Sequence, residues 1–265
     1  MKKIKFKVAM GQMKVESGKI KENLFRAEKM ISDAAKKDCR IIVLPETMDL
    51  GWLSHSFFKL AQPIPGKISN FLCKLAKKYQ ISIVAGLTEK FNDKFYNSAV
   101  FISEKGEILI KHRKINELTT GQKFYTLGDS LKVVKTLSGT IGICICADLS
   151  KGAVSIGEAL GLMRAQIILS PCSWAVKANH NNKKDPYGKM WKDSYTYLAK
   201  KYNITVIGVS NVGWLEDGPW KGKKCIGCSL AVGPKGIIAQ LPYGEEREVL
   251  FPVEVELFPK PFINY

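Results

Sequence analysis

Apolar residues follow two alternating patterns along this chain: short continuous runs and longer segments with a helical repeat. The short runs are bounded by charged or turn-forming residues, which is typical of buried strands. They predict strands at residues 5–10, 41–44, 81–86, 99–103, 108–112, 140–146, 167–170, 205–210, 229–233 and 249–255. Apolar residues at three- and four-residue steps predict helices at residues 20–37, 67–79, 155–163 and 190–202.

The order of these elements predicts an α/β fold. In the first helix, the apolar positions form one stripe that must pack on a sheet. Strands alternate with helices early in the chain, and a hairpin is expected around Lys105 and Gly106, which indicates a layered domain with a mixed sheet. Because no internal repeat, low-complexity tract or linker interrupts residues 1–265, we expect a single domain.

The net charge of +17 raises the question of a nucleic-acid partner. The lysines are spread over predicted helix faces, and no RNP, KH, zinc-finger or helix-turn-helix signature accompanies them. We therefore expect a solvated basic surface and no nucleic-acid binding.

Hydropathy and cysteine usage predict a soluble, cytoplasmic protein that does not associate with membranes. No run of eighteen apolar residues occurs, and the basic start of the chain returns to charge too soon for a signal peptide. The seven cysteines are an odd number, and Cys39, Cys144 and Cys146 lie in strand-like apolar runs. This usage is typical of reduced thiols.

Four residues in three separate motifs carry candidate chemistry: Glu46 in IIVLPE, Lys114 and Glu117 in KHRKINE, and Cys146 in GICICAD. A cysteine nucleophile needs a base that removes its proton. The carbonyl that it attacks needs a cation or oriented N–H groups to stabilise the oxyanion. The set therefore predicts a site for amide hydrolysis.

The bare patterns leave alternatives at three of these positions. Glu46 follows a buried run, so it is either a desolvated base or a solvated charge at a strand end. Strand alternation places His112 and Lys114 on one face and Arg113 on the other, although Lys114 could also be a solvated strand end.

Cys146 has a rival in Cys144, which lies on the same face of the predicted strand. Cys144 is deeper in that strand, where a buried cysteine usually acts as a small apolar residue. A turn after Cys146 would expose its sulfur and direct the Ala147 N–H at the oxyanion.

These residues belong to a longer series of motifs that resembles the carbon-nitrogen hydrolase, or nitrilase, superfamily. The series is VAMGQM, DCRIIVLPETMDLGW, PIPG, IVAGLTE, YNSAVFIS, HRKINEL, GICICAD, ILSPCSW, SNVGW and CSLAVGPKG, in the expected order over nearly the whole chain. The resemblance implies a four-layer α-β-β-α sandwich. It also implies a Glu46-Lys114-Cys146 triad that cleaves a non-peptide C–N bond through a thioester.

The resemblance suggests roles for three further residues. Many members carry a second glutamate beyond the catalytic lysine, but the position eight residues on is Gln122 here, so Glu117 is the candidate. The alternative is an ordinary loop acid. Ser173 and Trp174 stand where members line the substrate pocket, although Trp174 is equally suited to anchor the core.

The predicted activity is hydrolysis of a small amide without metal or cofactor. A nitrile or N-carbamoyl substrate, acyl transfer to an amine, and a non-catalytic basic binding protein are the alternatives. Cys225 and Cys228 form a C-x-x-C, but no second such pair accompanies it, so we expect no zinc site. The aromatic C-terminal segment predicts a homodimer or higher homo-oligomer.

Overall fold

The computed structural model describes residues 4–257. Its strands are β1 Ile4–Gln12, β2 Cys39–Val43, β3 Ser82–Phe91, β4 Lys94–Ile102, β5 Ile108–Arg113, β6 Val133–Thr136, β7 Gly139–Ile143, β8 Ile167–Cys172, β9 Ala175–Val176, β10 Thr205–Ser210, β11 Val212–Trp214, β12 Lys224–Ile226, β13 Leu230–Gly233, β14 Gly236–Gln240 and β15 Val249–Leu257. The α-helices are α1 Ile20–Lys36, α2 Phe57–Leu60, α3 Lys67–Tyr79, α4 Val154–Leu162 and α5 Lys189–Tyr202. Short 3₁₀ helices cover Gly121–Lys123, Cys146–Leu149 and Lys151–Ala153.

The strands form two six-stranded mixed sheets and one small sheet. The first sheet has the order β15-β1-β2-β3-β4-β5, and the second has the order β14-β13-β10-β8-β7-β6. A three-stranded sheet of β11, β12 and β9 lies apart from them. Within the large sheets, β1, β2 and β3 run parallel, as do β7, β8 and β10.

The apolar side chains divide these elements into four layers. Helices α1 and α3 pack on one face of the first sheet through residues such as Ile31, Leu72 and Ile42. The other face of that sheet contributes Val8 and Phe101 to a second cluster, which contains the second sheet, α4 and α5. This arrangement confirms the predicted α-β-β-α sandwich.

Every predicted strand and helix overlaps an observed one, and the β4–β5 hairpin turns at Gly106 with φ of 82°. One boundary was wrong in a way that affects the site: the strand predicted at 140–146 ends at Ile143. Cys146 has a φ of 43°, which an extended strand does not allow, and it begins a 3₁₀ helix. The argument that Cys144 and Cys146 share a strand face therefore does not hold.

The ends of β2, β5, β7 and β8 meet at one edge of the sandwich. There the two large sheets are joined directly, because the Glu46 N–H, beyond the end of β2, donates to the Cys172 carbonyl of β8 at 3.2 Å. Within residues 4–257, no helix is long and apolar enough to cross a membrane.

Candidate active site

Glu46 is buried between the two sheets, with 1% of its surface exposed. Pro45 ends the β2 ladder, and its carbonyl accepts a hydrogen bond from Gly86 at 3.0 Å. The chain then crosses to β8, which directs the Glu46 side chain into the space between the sheets. This placement excludes the alternative of a solvated strand-end charge.

Lys114 follows β5 directly and is also buried. Its Nζ donates to Glu46 Oε1 at 2.7 Å and to Glu117 Oε1 at 2.9 Å. The flanking cations face elsewhere, since Lys111 and Arg113 both bind the buried Glu89 carboxylate. Lys114 and its two basic neighbours therefore lie on opposite faces of the strand, as predicted. Of these three cations, only Lys114 reaches Glu46.

Glu117 is buried and belongs to the same cluster, unlike an ordinary loop acid. Its two carboxylate oxygens accept hydrogen bonds from Lys114 and, at 3.0 Å, from Asn97 Nδ2. The same Asn97 nitrogen donates to Glu46 Oε1 at 2.6 Å. Gln122 instead donates to the Glu117 backbone carbonyl at 2.8 Å. Asn97 thus links the two acids, and Glu117, not Gln122, is the side chain that contacts Lys114.

Cys146 lies at a sharp turn where β7 passes into the 3₁₀ helix. A φ of 43° is strained for a residue other than glycine, and such strain concentrates at functional sites. The Cys146 N–H donates to Ser170 Oγ at 3.1 Å. In the described part of the chain, the Ala147 N–H donates to no protein acceptor, which leaves it available to a ligand.

Asp148 fastens this turn to the end of β5. One of its carboxylate oxygens contacts His112 Nε2 at 2.8 Å and accepts the Ile145 N–H. The other oxygen accepts the N–H groups of Ile115 and Asn116. These bonds connect both loops, so they fix the position of Cys146 relative to Lys114.

The charges of the site act on one another at close range. Burial raises the pKa of Glu46 above its ordinary value, although Lys114 opposes this effect. Burial alone would lower the pKa of Lys114, but Glu46 and Glu117 outweigh it, so this pKa lies well above its usual range. A hydrogen bond with the Cys172 thiol, burial and the Glu46 charge raise the pKa of Cys146, against the influence of Lys114. The resting site therefore favours a protonated thiol and an ammonium.

Ser173 and Trp174 follow Cys172 at the end of β8, and no hydrogen bond joins either side chain to Glu46, Lys114 or Cys146 in the described residues. Ser173 Oγ is 3.5 Å from Cys225 Sγ. Trp174 is 2% exposed and stacks on Trp191 with ring centroids 5.1 Å apart, which places it in the core. Burial raises the pKa of both Cys225 and Cys228 to about 11. Among residues 4–257, no three His, Cys, Asp or Glu side chains are grouped as metal ligands.

Comparison with known proteins identifies the family of this arrangement. The sequence model described as carbon-nitrogen hydrolase matches residues 7–257. The chain belongs to the carbon-nitrogen hydrolase family.

Relatives and solved structures agree with this membership. The chain is 30% identical over 248 residues to a nitrilase of Pyrococcus abyssi, an alignment that covers 92% of this chain and 87% of that protein. It is 25% identical over 253 residues to an (R)-stereoselective amidase of Pseudomonas sp, covering 95% and 85%. The crystal structure of Saccharomyces cerevisiae Nit3, a nitrilase superfamily member, superposes with a TM-score of 0.79 at 26% identity, covering 96% and 90%. The chain is thus similar to enzymes named for both amide and nitrile chemistry.

Sequence reasoning missed several residues of this family member's site. Asn97 stands in the recognised YNSAVFIS motif, but nothing in that motif shows that its side chain reaches two acids. The contact between His112 and Asp148 joins distant segments, so no local pattern indicates it. Cys172 was visible in ILSPCSW, yet its proximity to Cys146 depends on the pairing of β7 with β8.

Proposed function

We propose that this hydrolase cleaves small amides through a thioester on Cys146. The observation that carries the proposal is the buried Lys114, which binds the Glu46 and Glu117 carboxylates while its charge acts on the Cys146 thiol. A base, a cation and a nucleophile are thus held in one water-poor space, which acyl transfer requires.

In the proposed mechanism, Glu46 takes the thiol proton as the sulfur attacks the carbonyl carbon. The raised pKa of Glu46 suits a general base that works near neutral pH. Because the pKa of Cys146 is also raised, the thiol stays protonated until a substrate is bound and Glu46 removes its proton.

The oxyanion would be stabilised by the Lys114 ammonium and the Ala147 N–H, which has no protein acceptor in the described residues. Glu46 would return its proton to the leaving nitrogen and later activate the water that opens the thioester. Glu117 and Asn97 would hold Lys114 and Glu46 in place throughout. These steps need no metal or cofactor.

The test is release of ammonia from a panel of small primary amides, with matched nitriles and N-carbamoyl compounds in parallel. We expect turnover of amides, abolished in Cys146→Ala and retained in Cys144→Ala. Addition of a simple alkylamine would distinguish acyl transfer to an amine, since an N-alkyl amide would then replace the free acid. Equal activity of the wild type and Cys146→Ala would contradict the proposal.

A further inference from the structure

Cys172 is a second buried thiol beside Cys146, and the proposed hydrolysis gives it no role. Strands β7 and β8 are parallel, with Ile143 paired to Leu169. Cys172 is the last residue of β8, and Cys146 lies three residues beyond the end of β7, at the turn into the 3₁₀ helix. The connection continues beyond the end of β7, because the Cys144 N–H donates to the Leu169 carbonyl at 3.3 Å.

Side-chain contacts bring the two thiols together. Ser170 Oγ accepts the Cys146 N–H at 3.1 Å and lies 3.5 Å from Cys172 Sγ. The neighbouring Cys172 thiol also raises the pKa of Cys146. Neighbouring strands lie about 4.8 Å apart, and disulfides join Cα atoms about 4.4–6.8 Å apart. Cys146 and Cys172 both contact Ser170 at the adjacent ends of β7 and β8, which makes them candidates for such a bond.

We propose that Cys172 is a resolving thiol, which converts Cys146 oxidised by a hydroperoxide into a reversible Cys146–Cys172 disulfide. Cys146 is 7% exposed and Cys172 is 0% exposed, so the peroxide reaches Cys146 first. The proposal concerns the same nucleophile as the proposed function, but its product is detected by mass and not by turnover.

The chemistry takes place in two balanced steps. Glu46 takes the Cys146 proton as the sulfur attacks one peroxide oxygen, the O–O bond breaks, and the leaving hydroxide takes up that proton, so the products are a sulfenic acid and water. The Cys172 sulfur then attacks the Cys146 sulfur, the S–O bond breaks, and the leaving hydroxide takes the Cys172 thiol proton to form a second water. Two thiols lose two electrons and two protons, and hydrogen peroxide is reduced to two waters. The disulfide blocks further oxidation to the irreversible sulfinic acid.

The experiment treats the full chain with hydrogen peroxide and follows amide turnover, intact mass and a non-reducing peptide map. In the wild type, we expect turnover to fall together with a mass loss of about 2 Da, a linked peptide pair containing Cys146 and Cys172, and recovery with dithiothreitol. Cys144→Ala should behave like the wild type, because Cys144 is fully buried and has no part in the bond.

Cys172→Ala should be inactivated irreversibly, with a gain of about 32 Da or more on the Cys146 peptide. Recovery of this variant with dithiothreitol would overturn the proposal. So would a wild-type map that shows only sulfinic acid, or that links Cys146 to another cysteine. If Cys172→Ala fails to fold, the wild-type map alone decides. The peptide map requires no amide substrate, so it tests the disulfide even if the proposed amide hydrolysis is wrong.

Discussion

At the residue scale, two buried carboxylates share one buried ammonium. Removing one partner of a buried ion pair is costly because the other charge stays unpaired. Glu46, Lys114 and Glu117 are each at most 3% exposed, so any change at one of them alters the protonation of the others. Asn97 adds neutral donors to both acids, which makes it a positioning residue that can be tested through pH dependence.

The acid limb of the rate profile should shift in opposite directions in two variants. The hydrogen bond from Asn97 lowers the pKa of Glu46, whereas the charge of Glu117 raises it. A base must be ionised to act, so activity rises as the pH passes through the Glu46 pKa. Asn97→Ala should therefore move the acid limb of kcat/KM to higher pH, and Glu117→Gln should move it to lower pH. Shifts in the same direction would contradict the assignment of Glu46 as the base.

Lys114→Ala should lower kcat/KM by about a hundred-fold or more, since an oxyanion donor is lost. It should also lower the free energy of unfolding by about 3–5 kcal/mol, because two acids are left buried without a cation. Lys111→Ala is the matched control: it removes a cation that pairs with Glu89 on the other face of β5. Its kcat/KM, measured on folded protein, should be unchanged. Comparable losses in both variants would mean that the basic cluster only attracts substrate.

A site residue could be predicted from the sequence only where a local pattern or a family motif identifies it. Glu46, Lys114 and Cys146 each end an apolar run that identifies a strand, and the family motifs name them directly. Glu117 was a candidate from its place three residues after Lys114, but the pattern left an ordinary loop acid open. Asn97 had no such signal, because its role comes from contacts with two acids that are distant in sequence. For Trp174 the motif left both the pocket and the core open, and its burial and its stacking on Trp191 favour the core.

At the element scale, the site depends on how closely β3 approaches the turn after β2. A methyl group added at Gly86 would lie 2.5 Å from Glu46 Cα and 2.7 Å from the Pro45 oxygen. These are backbone atoms, so no side-chain rotation relieves the clash. Only glycine at this position lets Glu46 cross from the first sheet to β8.

Gly86→Ala should therefore displace Glu46 and lower both stability and activity. Overpacking of this kind costs about 1–3 kcal/mol, or more where the backbone must move. Gly152→Ala is the control, because nothing lies within 4 Å of the added methyl group. The prediction is checked by measuring the melting temperature and the kcat/KM of both variants. A Gly86→Ala protein with wild-type activity would show that the close approach is dispensable.

The long elements were predictable because each buries either a helical stripe or a continuous apolar run. Both patterns are visible in the sequence. The short strands β9, β11 and β12 were not, since two or three residues cannot show a repeat. The end of β7 was wrong for a related reason. The run ICIC reads as continuous strand, but side chains of Asp148 and Ser170 take the N–H groups of Ile145 and Cys146 and end the ladder.

At the scale of the whole molecule, self-association remains a prediction. This prediction was based on aromatic residues near the C-terminus. Phe258, Phe262 and Tyr265 lie outside the described residues. Phe251 on β15 is 43% exposed. We expect a homodimer or higher oligomer in light scattering at micromolar concentration, and weaker association when residues 258–265 are removed. A monomeric mass for the full chain would contradict the prediction of self-association.

The central claim is that Cys146 carries the acyl group. Its most direct test is rapid acid quenching of the enzyme with a substrate amide, followed by intact mass and peptide mapping. The account predicts an acyl adduct on the Cys146 peptide that hydroxylamine removes, present in Cys144→Ala and absent, together with turnover, in Cys146→Ala. An adduct on another residue, or full turnover by Cys146→Ala, would contradict it.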